Sequence, residues 1–333
     1  LKHFVTGEPI DVHQRIFSIR NPKTDELICL ATTVNDITTR KRAEAEIAAQ
    51  RRLYKSVTDN ATTALFIMNE RQECVFMNPA AEKLSGYKFE ETQGRPLHDV
   101  VHHTYPDGSP YPLSECPIDQ AFPTSNQVQG EETFVHRDGY FYEVAFTASP
   151  LFDETGATVG TVIEVQDITT RKRREKNLAF LADLQNEFAR LSSVNEITET
   201  AGRRVAEFLQ LSQCLLVEID ETAQKATVFY DSRGDVKENL TGVYNLQAFH
   251  TEDERAKLSQ GEAVVINDVR HGNRSPEAVA AFEALNIGSF ISVPYLSEGR
   301  WTFALSAQCE TPNQWRDDQI EILRELASRI YLR

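Results

Sequence analysis

Val34-Asn35-Asp36-Ile37-Thr38-Thr39-Arg40-Lys41 and Val165-Gln166-Asp167-Ile168-Thr169-Thr170-Arg171-Lys172 are two copies of one phrase, offset by 131 residues. Each follows an apolar, β-branched run (Leu27 to Val34, Val159 to Val165) and precedes a charged helical pattern. A strand hands directly to a helix, twice. Asp and Thr suit such a joint because their side-chain oxygens accept the unpaired first amides of a helix. An Arg four residues after each Asp is placed to fold back on it, Arg40 on Asp36 and Arg171 on Asp167. The reciprocal capping box is not completed, since Lys41 and Lys172 stand where a Glu or Gln would close it. A single copy reads as a capped helix start, worth about 1 kcal/mol. Two copies, each ending a sheet, point to a repeated sheet-to-helix joint whose residues are Asp36, Thr38, Arg40, Asp167, Thr169 and Arg171.

Working outward from the second copy, the chain resembles the PAS family with its C-terminal PAC motif. In that family a final strand ends in Asp-Ile-Thr and runs into a signalling helix. Asn78-Pro79-Ala80-Ala81 to Leu84-Ser85-Gly86-Tyr87 matches the family's strand-to-helix stretch. Arg137-Asp138-Gly139 matches its hairpin turn, and Pro150 to Gly156 its late loop. The first copy carries only the later strands, from about His3, so a PAS domain cut at its beginning, or lacking an earlier segment, is expected there. The segments read as 1–40, the end of a PAS domain with its PAC motif; 41–52, a helical linker; and 53–170, a PAS domain.

The linkers decide how a signal would leave. After Lys41 the chain is rich in helix formers and free of Gly and Pro, with Ala43, Ile47, Tyr54 and Val57 at spacings of three, four and seven. After Lys172 the stripe is stronger: Leu178, Leu181, Leu184, Phe188 and Leu191. Both stretches, the second over 171–190, read as short coiled-coil segments. The alternative is a helix packed on its own domain. Charges flanking each stripe favour a parallel homodimer.

From 191 to 333 there is no PAC ending. An amphipathic helix (Ile197, Ala201, Val205, Phe208, Leu209) leads to strands Cys214 to Asp220 and Ala226 to Tyr230. Val264 to Val269, a helix through Ala278 to Leu285, strands Ser289 to Tyr295 and Trp301 to Ala307, and a closing helix from Asp317 follow. The succession resembles a GAF domain, on Gly261 to Asp268, Leu285 to Pro294, Glu298-Gly-Arg-Trp301 and Pro312-Asn-Gln-Trp315. The fold class expected is α+β: tandem PAS-like and GAF-like antiparallel sheets with covering helices, joined by long helical coiled-coil linkers.

Composition narrows the chemistry. The chain of 333 residues has 35 basic against 50 acidic residues, a formal charge of −15, which disfavours nucleic acid as a partner. The basic clusters Arg40 to Arg42 and Arg171 to Arg174 read as solvated helix faces. Five scattered cysteines (Cys29, Cys74, Cys116, Cys214, Cys309) show no C-x-x-C spacing, which suggests a reducing, cytoplasmic compartment. No run of about 18 apolar residues or signal peptide occurs, so direct membrane contact is not expected.

Pockets carry function where folds do not. The resemblance puts Phe66, Phe76, Leu84, Phe134, Phe146 and Val162 about a PAS cavity, a set that also suits plain core. It puts Phe229, Tyr244, Asp268, Phe290, Phe303 and Cys309 about a GAF pocket. Bilin-binding GAF domains carry a Cys where this chain reads Pro276 to Phe282, with neither Cys nor His, so covalent bilin is not expected. The Asn-Cys-Arg-Phe-Leu-Gln-type stretch of flavin-binding PAS domains is missing too. Haem or another small ligand stays open. His98, His102, His103 and Cys116 could ligate zinc, or one His haem iron. The segment is full of Pro, Gly and Asp, so it reads as a surface loop with solvated histidines, and no metal is expected.

No phosphate-binding Gly loop, nucleophile elbow or H-E-x-x-H pattern occurs. The reading is a non-catalytic sensory and relay module that detects a small-molecule, redox or light cue. The uncapped last helix, Ala327 to Arg333, suggests that an effector follows, by resemblance a histidine kinase or a diguanylate cyclase. Two other readings are a ligand-free dimerising scaffold and a cysteine-based methionine sulfoxide reductase using Cys214 and Cys309.

Overall fold

The computed structural model describes residues 2, 6–122, 126–233, 239–272 and 274–332. His3 and Arg333, the ends of two expected segments, lie outside the described residues. The chain divides into two compact units, Leu1–Thr169 and Thr170–Arg333.

The first unit opens with an antiparallel hairpin, β1 (Val12–Arg20) and β2 (Leu27–Asp36), in register Val12 to Asp36. Two strands cannot enclose a core, and Ile16, Phe17, Leu27, Ile28 and Leu30 are exposed. Helix α1 (Thr38–Asp59) follows directly and buries none of its residues. Its start and its Pro-free, Ala- and Glu-rich composition agree with the helix expected after the first copy of the phrase.

A five-stranded antiparallel sheet forms the body of this unit, in order β4-β3-β7-β6-β5. The strands are β3 (Ala64–Asn69), β4 (Cys74–Met77), β5 (Val128–Val135), β6 (Phe141–Phe152) and β7 (Thr158–Asp167). Between β4 and β5 lie three short helices, α2 (Pro79–Ser85), α3 (Phe89–Thr92) and α4 (His98–Val101). Asn78 fixes the entry to this segment. Its fully buried side chain caps α2 at Ala81 N (2.9 Å), accepts from Leu65 N (2.9 Å), and donates to Thr58 O and Thr63 O. Four hydrogen bonds leave no polar atom of this buried amide unsatisfied. Helix α2 ends at Gly86, whose φ of 79° suits a residue without a side chain, and a Cβ there would strike the His136 ring.

The second unit starts with α5 (Thr169–Phe188) and α6 (Val194–Leu209), the latter closed by a Ser193/Glu196 capping box. Its antiparallel sheet runs β10-β9-β8-β13-β12-β11. The strands are β8 (Gln213–Asp220), β9 (Lys225–Asp231), β10 (Gly242–Asn245), β11 (Val264–Ile266), β12 (Ser289–Ser297) and β13 (Arg300–Cys309). The remaining helices are α7 (Glu252–Ser259), α8 (Pro276–Ala284) and α9 (Asp317–Tyr331). One face of the sheet packs on α5, α6 and α9, and the other on α7 and α8.

The stripe on α5 that was expected to meet a partner helix is covered by its own unit. Leu181, Leu184 and Phe188 are buried with residues of α6 and α9, while Leu178 stays exposed. Phe180 stacks on Phe208 at 4.1 Å, and Arg329 of α9 donates to Gln185 Oε1 (3.0 Å). A six-stranded sheet with two helices offers the stripe more apolar area than one further helix would.

Candidate functional site

The two joints are built alike, atom for atom. Asp36 Oδ1 accepts from Thr38 N (2.9 Å), and Asp167 Oδ1 from Thr169 N (2.8 Å). The next tie runs to the adjacent strand segment. Ile37 N donates to Asp11 O (2.8 Å) while Thr38 Oγ1 accepts from Asp11 N (2.9 Å). Ile168 N donates to Glu143 O (2.9 Å) while Thr169 Oγ1 accepts from Glu143 N (3.0 Å). The threonine hydroxyl therefore extends the strand pairing one step past the end of the strand and into the helix. The Thr is thus more than the helix cap expected from the sequence. Arg40 and Arg171 also pair forward along their helices, with Glu44 (3.4 Å) and Glu175 (3.7 Å).

Beside the second joint the first unit has an open groove of about 530 Å3, lined by Thr62, Ala80, Leu84, Tyr142 and Asp167 among others. The Tyr142 hydroxyl is buried there with no hydrogen-bond partner. The interior itself is closed. Phe66, Phe134 and Phe146 are buried in its core and Leu84 packs at the edge. Phe76 and Val162 do not line it. They oppose Ile67 on the two neighbouring strands, whereas Phe66 and Met68 point inward, so strand alternation sends both to the other face. Met77, Ile163 and Val165 take the inward places.

The histidine segment is a correction. His98, His102 and Cys116 are 7%, 1% and 2% exposed, in the core rather than in a solvated loop; only His103 is exposed. His102 Nδ1 lies 3.4 Å from Cys116 Sγ, and the ring stacks near Tyr111 at 4.1 Å. Burial, with His98 and His103 adding to it, pushes His102 down to about 4, so the imidazole is neutral at pH 7.

In the second unit a cavity opens between the sheet and the α7/α8 face. Apolar walls come from Leu215, Val217, Ala226, Val228, Phe282 and Trp301, and polar atoms from His250, Ser292, Ser306 and Gln308. The volume open to the centre of a water-sized sphere is about 50 Å3. That holds water or a very small ligand, against about 300–1,000 Å3 for typical organic-ligand pockets. Gln308 Oε1 is buried without a hydrogen-bond partner, and His250 Nδ1 lies 3.7 Å from Glu254 Oε2. Arg274 lies over Phe282 (5.1 Å) and Phe290 (5.4 Å) and pairs with Glu254. Burial alone would raise the Glu254 carboxyl. His250, the Thr251 amide and Arg274 outweigh it and hold the group down at about 2.

Of the residues expected about this pocket, Phe290 lines the cavity and Tyr244 packs beside that core. Phe303 and Cys309 belong to the opposite core, Phe229 is exposed on the same opposite side against Phe303, and Asp268 sits in a turn with Arg270 and His271. Parity decides this. Phe290 pairs with Gln308 and Ser292 with Ser306, and these positions face the cavity; Ile291, Val293, Phe303, Leu305 and Ala307 face the other way. The signal that could have found the site is Ser292 together with Ser306 and Gln308 at alternate positions, polar residues inside two otherwise apolar strands.

Residues 52–168 match the PAS fold family and residues 193–333 the GAF domain family. The probable diguanylate cyclase DgcE of Escherichia coli (strain K12) is 28% identical over 198 residues, 59% of this chain and 16% of that protein. The circadian input-output histidine kinase CikA of Thermosynechococcus vestitus is 25% identical over 143 residues, 40% of this chain and 20% of that protein. The chain thus spans a fifth or less of these relatives. Among solved structures, a PAS domain from Colwellia psychrerythraea covers 37% of this chain and 98% of its own, at 22% identity and a TM-score of 0.31. The chromophore-binding domain of the bacteriophytochrome RpBphP3 from R. palustris covers 81% of this chain and 92% of its own, at 12% identity and a TM-score of 0.40.

Proposed function

Because this chain is a PAS domain followed by a GAF domain, we propose that it is the sensory and relay part of a larger signal-transduction protein. The observation that carries the reading is the doubled joint. At each copy a threonine hydroxyl bonds the backbone of the adjacent strand segment, so the first turn of the helix moves with the sheet. A ligand that favours one sheet geometry over another then shifts the helix with it. Two places suit such a ligand: the polar-floored GAF cavity and the groove that includes Asp167. The effector downstream is a histidine kinase or a diguanylate cyclase, the activities named for the relatives. We place the chain in the cytoplasm, as a parallel homodimer joined through the exposed stripe of α1. No helix among the described residues is long and apolar enough to cross a membrane.

Catalysis is not part of this reading. Cys214 is fully buried and pushed up to about 12 by that burial, and burial raises Cys309 as well, the opposite of an activated thiol. The pair are also out of register across β8 and β13, since Cys214 faces Ala307. The small interior of each domain favours one second reading, a scaffold that spaces and dimerises the effector without a ligand.

Mass spectrometry of material released on denaturation, paired with an ultraviolet–visible spectrum, separates the two. A retained small molecule, or a visible band, supports sensing by a bound ligand. A clean spectrum, together with unchanged effector output in full-length protein carrying Thr169→Val, would sink the relay.

A further inference from the structure

The GAF cavity and the groove beside Asp167 already belong to the sensory reading. The cluster His98, His102 and Cys116 does not. It is buried, it carries three donor side chains, and nothing in the relay uses it.

We propose that His98, His102 and Cys116 bind a divalent transition-metal ion, zinc in the first place, inside the PAS core. The two histidines are four residues apart, on α4 and at its C-terminal cap, so one helical turn brings them to the same side. Cys116 follows the short turn Leu113–Glu115. One donor atom from each of the three lies within 4.8 Å of the others. Zinc bonds of about 2.0–2.1 Å to nitrogen and 2.3 Å to sulfur set an N···S edge of about 3.5 Å across a tetrahedral angle. The His102 Nδ1 to Cys116 Sγ distance is 3.4 Å.

The outer contacts point the same way. A metal-bound imidazole donates its other N–H to a carboxylate or a carbonyl. His98 Nε2 lies 3.2 Å from Tyr111 O, and His98 Nδ1 is buried with no hydrogen-bond partner. His102 Nε2 lies 3.2 Å from Glu132 Oε2, without the alignment of a hydrogen bond. Each ring therefore has its Nε2 beside an oxygen, while His102 Nδ1 is turned to Cys116 Sγ and His98 Nδ1 has no partner.

The fourth position is open. The three donors border a void of about 10 Å3 together with Gln72 and Asp119, the space of about one water. Gln72 Nε2 is itself buried and unpartnered. A two-imidazole, one-thiolate set suits zinc or copper and disfavours magnesium and calcium, which prefer oxygen. A plain hydrogen-bonded core pair accounts for His102 and Cys116 but leaves His98 Nδ1 and Gln72 Nε2 orphaned at the same void. The inference stands apart from the sensory reading, since a structural zinc in a scaffold would satisfy it equally.

The test uses tag-free chain, stripped with chelator and titrated with zinc chloride or cobalt chloride. Expected are one zinc per chain after dialysis, a sulfur-to-cobalt charge-transfer band in the near ultraviolet, and a zinc-dependent rise in melting temperature. Cys116→Ser should abolish the band and weaken zinc at least about 100-fold, Glu132→Gln should weaken it about 10-fold, and Cys29→Ser should change neither. A wild-type chain with no cobalt–thiolate band overturns the proposal, and so does a Cys116→Ser chain that keeps it. Should Cys116→Ser not fold, His98→Gln takes its place, and the wild-type band decides by itself.

Discussion

Gly160 is the third residue of β7, where a Cβ would come within 2.3 Å of Met68 O on β3. The obstructing atom is backbone and cannot rotate away. Gly160→Ala should therefore cost about 1–3 kcal/mol in urea unfolding of the PAS domain, and an unchanged midpoint would contradict the close approach. Glu254 offers a second test, through pH. Its carboxyl is held at about 2 in the folded chain, below the ordinary value near 4.3 in an unfolded one. Its contribution is thus fully present above the unfolded value and is lost as pH falls toward 2. Thermal melts of the wild type should drop through that window more steeply than those of Glu254→Gln. The variant should also be less stable at pH 7, by roughly 3 kcal/mol, because Arg274 is left buried without its partner. Parallel acid limbs for the two proteins would remove Glu254 from the account. Single residues were also where sequence reading failed. Phe303 and Cys309 lie in a strand covered on both faces, which gives no polar alternation to say which side each one takes. Phe76 and Val162 are apolar residues on the outer, half-exposed face of the PAS sheet, so apolar character alone misplaced them, although Glu164, two residues after Val162, marks that face as outward. His98 and Cys116 failed for a different reason: flanking Pro, Gly and Asp mark irregular backbone, and irregular backbone can still lie over a core.

At the scale of elements, the joint was legible because its chemistry is local. An Asp, a Thr two residues on, and a following run of helix formers are enough to place a strand end and a helix start. What the sequence could not supply was the third partner, Asp11 or Glu143, which lies 27 or 26 residues away from the threonine. Thr169→Val keeps the shape and removes the acceptor for Glu143 N. It should destabilise the PAS domain by about 1–3 kcal/mol, the cost of an unmet amide, and loosen α5 from the sheet. Hydrogen exchange of the first turn of α5 reads this directly: faster exchange there with the sheet unchanged is the expected pattern, and uniform protection would mean that the threonine is not the tie. The α5 stripe teaches the complementary lesson. Leu181, Leu184 and Phe188 have the spacing of a coiled-coil seam, yet the same spacing serves a helix laid on its own sheet. Period alone does not name the partner. Leu184→Ala should lower the stability of the GAF domain by about 2–5 kcal/mol and leave the oligomeric state alone, as sedimentation of the variant would check.

At the scale of the molecule, α1, like the β1/β2 hairpin before it, has an apolar side that remains to be accounted for. Ile47 is 51% exposed, Leu53 63%, Tyr54 67% and Val57 63%, and no residue of the helix is buried. Twenty-two residues of helix give about three heptads, which is the short end of what a two-stranded coiled coil needs. A helix of this length with such a stripe is marginal alone, and the proposed association with a second copy would bury the stripe without altering either domain. Dimerisation through α1 also suits a relay, since the helix begins at the first joint and a change in the sheet would reach its partner through the seam. Sedimentation equilibrium should therefore find a dimer, and Ile47→Asp with Val57→Asp should convert it to monomer. Because both side chains are exposed in the single chain, the melting of the PAS and GAF domains should be unchanged in that variant. A wild-type monomer at every concentration would end the dimer reading. A variant that loses both the dimer and its folded domains would instead show that α1 packs on something within the chain, and the seam would have to be sought elsewhere.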